Sequence, residues 1–330
     1  MGAWFAPVGA LSATGTSPGS ITADVSDGSA GSPGPDAEHV APAPNLARFT
    51  SNLHLVPATP AATLGITYVV VIVMENRAYS SIIGSANAPY LNSLARQYGL
   101  ATNYTGVAHP SEPNYLALFG GSTFGVVDDG VHSISGLNLA DQLEAHGLTW
   151  WIAAENVPAN CYTGATAYGG SDGAGWYARK HEPAISFSNV RTNPDRCQHI
   201  GDLASFRPGA ANVQFVIPNA CHDMHDCSTA AGDAFLRRWL AGLLKSPSFG
   251  RTLLVITWDE GFDASGGGGR VATLLVGPSV PAGARLTTPR NHYSTLRTIE
   301  DLWSLGCLRK SCQATDLLGV LRPAPAPASP

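Results

Sequence analysis

The sequence predicts an α/β fold: one mostly parallel central sheet sandwiched by helices, in a single domain. Three observations lead there. Short runs of β-branched and apolar residues recur along the chain, the runs are continuous rather than alternating, and amphipathic helical patterns lie between them. A strand that is apolar at every position must be covered on both faces, as in a parallel sheet between helix layers. Alternation of strand and helix marks an α/β chain. The chain has 330 residues, 44% hydrophobic and 13% charged, which is ample material for a large core in one domain or two small ones.

Residues 1–20 carry an apolar stretch (3–13) followed by small residues, without the basic start of a standard export signal, so a weak signal and simple disorder both stay open. Residues 14–64 are rich in Ser, Gly, Pro, Ala and Thr and read, with the first residues, as a disordered leader over 1–64. The folded domain is expected over 65–321, and the Pro/Ala-rich tail over 322–330 is expected to be extended. Strands are expected at 67–74, 149–153, 213–217, 252–258 and 271–276. Helices are expected at 88–98, with Leu91, Leu94, Ala95 and Tyr98 on one face, at 138–146 behind an Asn138 cap, and at 230–244, with Phe235, Trp239, Leu240, Leu243 and Leu244 inward. Gly266 to Gly269 reads as a mobile loop that lacks the lysine and spacing of a phosphate-binding loop.

Net charge is −5 and the pI is near 6.0, so no positive field draws the chain to nucleic acid or to an anionic membrane. No stretch reaches the roughly 18 apolar residues that span a bilayer. Six cysteines form no Cys-x-x-Cys pair. Cys221/Cys227 and Cys307/Cys312 are each close enough to close a small loop, which leaves Cys161 with Cys197. An even count in such a chain fits an oxidising compartment and a secreted protein, against the alternative of six buried thiols.

The chemistry gathers where strands end. The first strand runs into Glu75-Asn76, the 213–217 strand into a segment that holds His222, Asp223, His225 and Asp226, and the 252–258 strand into Asp259-Glu260. Ligands in open parallel sheets bind beyond the carboxyl ends of strands. Acids gathered there would repel one another and lose hydration, costs that a divalent cation relieves. Asp, Glu, Asn and His suit Mg, Ca, Mn, Fe or Zn. The alternative for each acid alone is a solvated strand end or a cap. Ser111 sits at a helix start after His109-Pro110, where free N–H groups and the helix dipole meet it; it reads either as a nucleophile activated by a nearby metal or as an N-cap only. His292 opens another helix and reads as a metal ligand, a phosphate contact or a leaving-group acid, or else as a capping or surface histidine.

The segments Glu75-Asn76-Arg77, His109-Pro110-Ser111-x-x-Asn114-Tyr115, Cys221-x-Asp223-Met224-His225-Asp226-Cys227, Thr257-Trp258-Asp259-Glu260-Gly261 and Asn291-His292-Tyr293-Ser294 together resemble the bacterial phosphoesterase family that contains acid phosphatases and phospholipases C. The resemblance runs in order over residues 67–305 and implies an alkaline-phosphatase-like fold. It implies a metal among Glu75, Asn76, Ser111, Asp259 and Glu260, and Ser111 as a nucleophile that becomes transiently phosphorylated. It further implies that Asp223, His225 and His292 hold phosphate or assist proton transfer, and that Asn76 donates to a phosphate oxygen. His109, Asn114 and His222 are expected to contact substrate. After Glu75-Asn76-Arg77 the chain reads Ala78-Tyr79-Ser80 where phospholipase members commonly have Ser-Phe-Asp, and it is short. Both departures favour a compact acid-phosphatase-like phosphomonoesterase acting on a small phosphorylated molecule or a phospholipid head group. The alternatives are a phospholipase C or other phosphodiesterase on the same core, and a phosphate- or metal-binding protein without turnover. The aromatics Tyr162, Tyr168, Trp176 and Tyr177 lie in a Gly-rich insert between Cys161 and Cys197 and read as the wall of an open mouth or as loop packing.

Overall fold

The computed structural model describes residues 59–168 and 176–324, which belong to one compact unit. The strands are β1 (Tyr68–Met74), β2 (Gly99–Thr105), β3 (Trp150–Ala154), β4 (Thr166–Tyr168), β5 (Trp176–Ala178), β6 (Ile200–Asp202), β7 (Val213–Ile217), β8 (Thr252–Trp258), β9 (Arg270–Val276), β10 (Arg285–Leu286) and β11 (Arg290–Asn291). The helices are α1 (Pro60–Leu64), α2 (Tyr79–Ile82), α3 (Pro89–Gln97), α4 (Glu112–Gly120), α5 (Leu139–Ala145), α6 (Ser188–Arg191), α7 (Pro194–Cys197), α8 (Thr229–Leu244) and α9 (His292–Trp303).

The main sheet runs β10-β2-β9-β8-β1-β7-β3-β6, with β11 also paired to β2, and β4 with β5 forms a separate ribbon. β1 pairs in parallel with both β7 and β8, and β3 with both β7 and β6. Only β9 runs against its neighbours, β8 and β2. β1, β2, β3, β7 and β8 therefore deliver their carboxyl ends to one edge. The sheet is the mostly parallel one expected, but the continuous apolar run of β9 reported burial on both faces and carried no information on direction. β2 escaped the sequence reading because Gly99, Thr102 and Asn103 dilute its apolar pattern.

Packing follows the sequence. Val69 to Met74 and all of β8 are buried. In α3, Leu91, Leu94 and Ala95 face the core, while Tyr98 has become the C-cap and is half-buried. Asn138 caps α5 in a reciprocal capping box with Asp141. In α8, Phe235, Leu240 and Leu243 are buried, and Trp239 and Leu244 are partly so. Two buried N–H groups at the start of α3, those of Tyr90 and Leu91, donate to the Asp233 carboxylate on α8. The folded region also starts earlier than the composition suggested. α1 lies inside the stretch read as leader, yet Ala61 is buried and Thr59 caps the helix. Ala324 N donates to Leu64 O, so the start of the tail is tied down as well. The rest of the leader, and residues 325–330, lie outside the described residues.

All six cysteines are paired: Cys161–Cys197, Cys221–Cys227 and Cys307–Cys312. Two further devices fix the loops at the catalytic edge. Asn114, fully buried in the first turn of α4, accepts from Val107 N (2.8 Å) and Ala108 N (3.2 Å) and donates to Ala108 O (2.9 Å) and Pro110 O (3.2 Å). Its amide is spent on the loop that leads into Ser111, which corrects its assignment to substrate: it is a clamp. The run Gly266 to Gly269 is not the mobile loop expected. Gly268 packs on the 106–108 backbone so closely that a Cβ would stand 2.6 Å from Ala108 O, and one on Gly106 would stand 2.7 Å from Asp259 O. Gly106 N donates to Gly269 O and Gly261 N to Gly268 O. The glycines are there for close approach of two backbones.

Replacing Asn114 by Ala orphans two backbone N–H groups and frees the 107–110 loop. The expected loss is about 1–3 kcal/mol of unfolding free energy, measured by denaturant titration, with a fall in activity. An unchanged unfolding midpoint would show that the clamp is redundant.

Candidate active site

The centre forms around Glu75, the first residue beyond β1 and fully buried. Its backbone N donates to Asp223 O at 2.8 Å, and Asp259 N donates to Met74 O at 2.9 Å. The β1–β8 ladder thus continues one step past the strands, the loop after β7 folds back onto the end of β1, and three acids come together. Glu75 Oε1 accepts from the Tyr115 hydroxyl. Glu75 Oε2 accepts from Ser111 Oγ at 3.1 Å and from Asn76 Nδ2 at 3.0 Å. Asn76 takes a left-handed backbone (φ 47°), and its N–H donates to Asp259 Oδ1 at 2.9 Å. Among the described residues the other Asp259 oxygen, Oδ2, is buried and has no hydrogen-bond partner.

Ser111 stands at the N-terminus of α4, but its hydroxyl makes no capping bond. It is 1% exposed and points between the Glu75 and Asp259 carboxylates, so the reading of Ser111 as a cap alone does not hold. Burial, reinforced by Asp259 and Asp223, pushes the Glu75 carboxyl well above the usual range. Burial and the Asp259 charge do the same for Asp223. Asp259 is pushed up to about 7 by burial and by Glu260. Three carboxyls this costly to ionise together describe a place that favours a cation.

Residues of the 221–227 segment close one side. Asp223 Oδ1 accepts from His225 N at 2.7 Å, and His225 Nδ1 lies 2.7 Å from Asp226 Oδ1. The loop is anchored to the β1 end by Arg77, which donates to Asn76 O and to Cys227 O. His222 turns to Glu155 (2.9 Å) and stacks on Phe235 at 4.3 Å between centroids.

Other candidates stand back from the reacting centre. His292 is fully buried behind Asp259, with Nε2 2.5 Å from Asp259 O and Nδ1 3.2 Å from the Tyr104 hydroxyl. Burial lowers its pKa to about 4, so it is neutral and acts on Asp259 through the main chain. Its assignment as an acid or a phosphate contact is corrected to a positioning role. His109 has Nδ1 2.6 Å from Glu260 Oε2 and Nε2 3.0 Å from Asp263 O. Burial opposes its charge, but two acceptors on its two ring nitrogens raise its pKa and favour the imidazolium. His109 and Glu260 therefore neutralise each other at the rim.

Three residues that the sequence reading passed over, and Tyr115, which it named in a motif without a role, complete the centre. His181 is buried with Nε2 3.4 Å from Glu75 Oε2 and Nδ1 3.5 Å from Asp223 Oδ2, and Tyr115 stacks on its ring at 5.5 Å. Burial, with Lys180 and His225 nearby, holds its pKa well below the ordinary value. Lys180 Nζ lies 2.7 Å from Asp129 Oδ2 and within electrostatic reach of Glu75 and Asp259. Asp129 Oδ1 in turn accepts from Glu112 N, next to Ser111. Tyr115 could have been found, since it lies one helical turn from Ser111 and on the same face. Arg179-Lys180-His181, a basic triplet in a chain with three lysines, was the available signal for the other cluster.

Among the described residues no three His, Cys, Asp or Glu side chains form a ready metal cage. The donors at Ser111 are of mixed kind, two carboxylates with a hydroxyl and an amide. The unpartnered Asp259 Oδ2 beside Glu75 Oε2 and Ser111 Oγ supplies hard oxygens of the sort a divalent ion takes, so the residues fit one. A larger surface cleft of about 570 Å³, lined by Thr105, Tyr293 and Lys310, shares none of these groups.

Comparison with known proteins identifies the family. The chain is similar to a phosphatidylinositol-3-phosphatase of Mycobacterium tuberculosis, with 37% identity over 279 residues, 83% of this chain and 90% of that protein. It is 31% identical over 256 residues to an acid phosphatase of Aspergillus fumigatus, of which it spans 56%, with 74% of this chain covered. A protein of the alkaline phosphatase superfamily from Vibrio parahaemolyticus shares the fold, with a TM-score of 0.51 at 11% identity over 77% of this chain and 72% of that one. The model of the Phosphoesterase family matches residues 85–306, which take in Ser111, Asp223, Asp259 and His292. The chain belongs to the Phosphoesterase family and is a phosphoric ester hydrolase.

Proposed function

We propose that the protein is a metal-dependent, acid-phosphatase-like phosphomonoesterase that works through a phosphoserine at Ser111, on small phosphorylated molecules or phospholipid head groups. The observation that carries this is the Ser111 hydroxyl held 3.1 Å from Glu75 Oε2, with an Asp259 oxygen in the same centre that has no hydrogen-bond partner among the described residues. A protein that only binds phosphate has no use for a hydroxyl there. Ser111 Oγ attacks phosphorus, its proton has Glu75 as the acceptor in reach, and the ester P–O bond breaks to release the alcohol. Water then cleaves the phosphoserine and releases phosphate, which regenerates Ser111. Glu75, Asp259, Ser111 and Asn76 would hold the divalent cation, which when bound supplies charge stabilisation at the reacting oxygens.

The chain's own residues do the rest. Tyr115 fixes Glu75 by its other oxygen. Asn76, whose backbone N–H orients Asp259, presents its amide beside the nucleophile. A phosphate dianion entering among Glu75, Asp223 and Asp259 needs cations, and those in reach are unequal. Arg77 is spent on carbonyls and His109 on Glu260, whereas the partner of Lys180 is a half-exposed carboxylate that can yield it. Lys180 therefore meets the non-transferring phosphate oxygens, and His225 stands at the mouth to protonate the leaving alcohol. The relatives named as phosphatases support the monoester reading, and the three disulfides support secretion into an oxidising medium.

Two outcomes test this. Dialysis against a strong chelator abolishes hydrolysis of 4-nitrophenyl phosphate and one divalent ion restores it; full turnover in a sample shown by elemental analysis to be metal-free removes the metal. Ser111→Ala lowers kcat on the order of 10³-fold or more, and rapid quenching of the wild type yields a phosphopeptide containing Ser111. A folded Ser111→Ala protein with near wild-type turnover would falsify the nucleophile assignment.

A further inference from the structure

A cavity of about 230 Å³ opens directly beside the catalytic centre. Its inner rim is built from Asp129, Lys180 and Trp176, and its walls include Val131, Ala165 and Ala178. Each rim residue is joined to the centre. Asp129 accepts from the N–H of Glu112, the residue after Ser111. The Lys180 charge acts on Glu75 and Asp259. The Trp176 indole N–H donates to Asp226 at 2.7 Å, and its ring lies 6.5 Å from that of His225.

The aromatic residues of the insert take different parts. Tyr177 is buried and Tyr162 packs against it at 5.8 Å, so these two are loop packing. Trp176 faces the cavity. Tyr168, which is 80% exposed, leans on the Trp176 ring at 6.0 Å. Val131 is 64% exposed on the opposite wall. Hydrocarbon left in water at the rim of a deep site, on both sides of it, is unusual unless something covers it in use.

The direction of the reaction says what that is. In an in-line displacement the leaving alcohol lies across phosphorus from the nucleophile. Ser111 is 1% exposed, so the alcohol portion of the ester lies on the solvent side of the centre, where this cavity adjoins Lys180. Lys180 turns its charge to the phosphate and Arg179 donates to the His132 and Ile185 carbonyls, while Val131, Ala165, Trp176 and Ala178 give the cavity its hydrocarbon. Such a surface gains from burying hydrocarbon.

We propose that the cavity between Trp176 and Val131 is the leaving-group subsite and selects phosphomonoesters of bulky apolar or aromatic alcohols. The assignment rests on the phosphomonoesterase reading. It is tested by kcat/KM on ethyl phosphate, 2-phenylethyl phosphate and propane-1,3-diyl bisphosphate, alkyl esters of similar leaving-group chemistry. The metal-replete wild type is expected to favour the phenylethyl ester over the ethyl ester by ten-fold or more, mostly through KM. Trp176→Ala, and independently Val131→Asp at an exposed position that tolerates charge, should bring that ratio to within about two-fold of unity, whereas Trp176→Phe should keep most of it. Equal kcat/KM for the two monoesters in the wild type, a ratio untouched by both variants, or a preference for the bisphosphate would overturn the subsite while leaving the phosphomonoesterase reading intact. Failure to cleave any of the three, alongside activity on a phosphodiester, would overturn the phosphomonoesterase reading and the subsite with it.

Discussion

The Glu75 carboxylate is the interaction on which the rest of the catalytic edge depends. It is buried, crowded by two other acids and satisfied at both oxygens, one by the Tyr115 hydroxyl and the other by Ser111 and Asn76. Burying a carboxyl among like charges is among the costliest things a fold can do. Here the cost is offset by strand pairing, because the same backbone steps that end β1 lock Glu75 and Met74 to Asp223 and Asp259. A change in the register of β8 would move Asp259 away from Glu75, so this part of the site is set by strand pairing.

Much of this was legible in the sequence because two signals there are strong. Continuous apolar runs located five of the six strands of the main sheet that are five residues or longer, and the polar residues after three of them located the acids. Direction and weak strands were not legible. β9 is as apolar as the parallel strands, and β2 carries Thr102, Asn103 and Gly99, since its edge-side neighbours are only the two-residue β10 and β11. The roles of polar residues next to the centre were the hardest to read. Asn114 and His292 belong to motifs that contain the nucleophile or follow a strand end, yet Asn114 spends its hydrogen bonds on backbone and His292 on the Asp259 carbonyl and the Tyr104 hydroxyl. Which groups a side chain faces is decided by loops folding against each other, and spacing along the chain does not carry that information. His181 and Lys180 illustrate the reverse. They come from an irregular insert with no periodicity, and only tertiary contact places them beside Glu75.

The loops themselves are held by short-range devices instead of a core. A disulfide closes the segment that carries Asp223 and His225, Asn114 staples the approach to Ser111, and glycine backbones interlock the approach with the segment after Asp259. Each acts on few residues and costs little chain entropy, which suits positions where side chains must be kept free for chemistry.

The reversed direction of β9 has an evolutionary consequence. A parallel neighbour to β8 would have required the chain to leave the catalytic edge, cross a helix layer and re-enter from the opposite end. Because β9 runs back, the segment between Trp258 and Arg270 turns round at the edge itself and is closed at both ends by the sheet. Its length is fixed by that closure, and its glycines by the backbone they touch. The insert between β3 and β6, by contrast, is bounded by a disulfide and a two-stranded ribbon that lie outside the main sheet. Insertions and deletions can accumulate there as long as Lys180 and His181 keep their places beside Glu75. Descendants of this fold are thus free to change what they accept at the insert while inheriting the reaction unchanged at the hairpin.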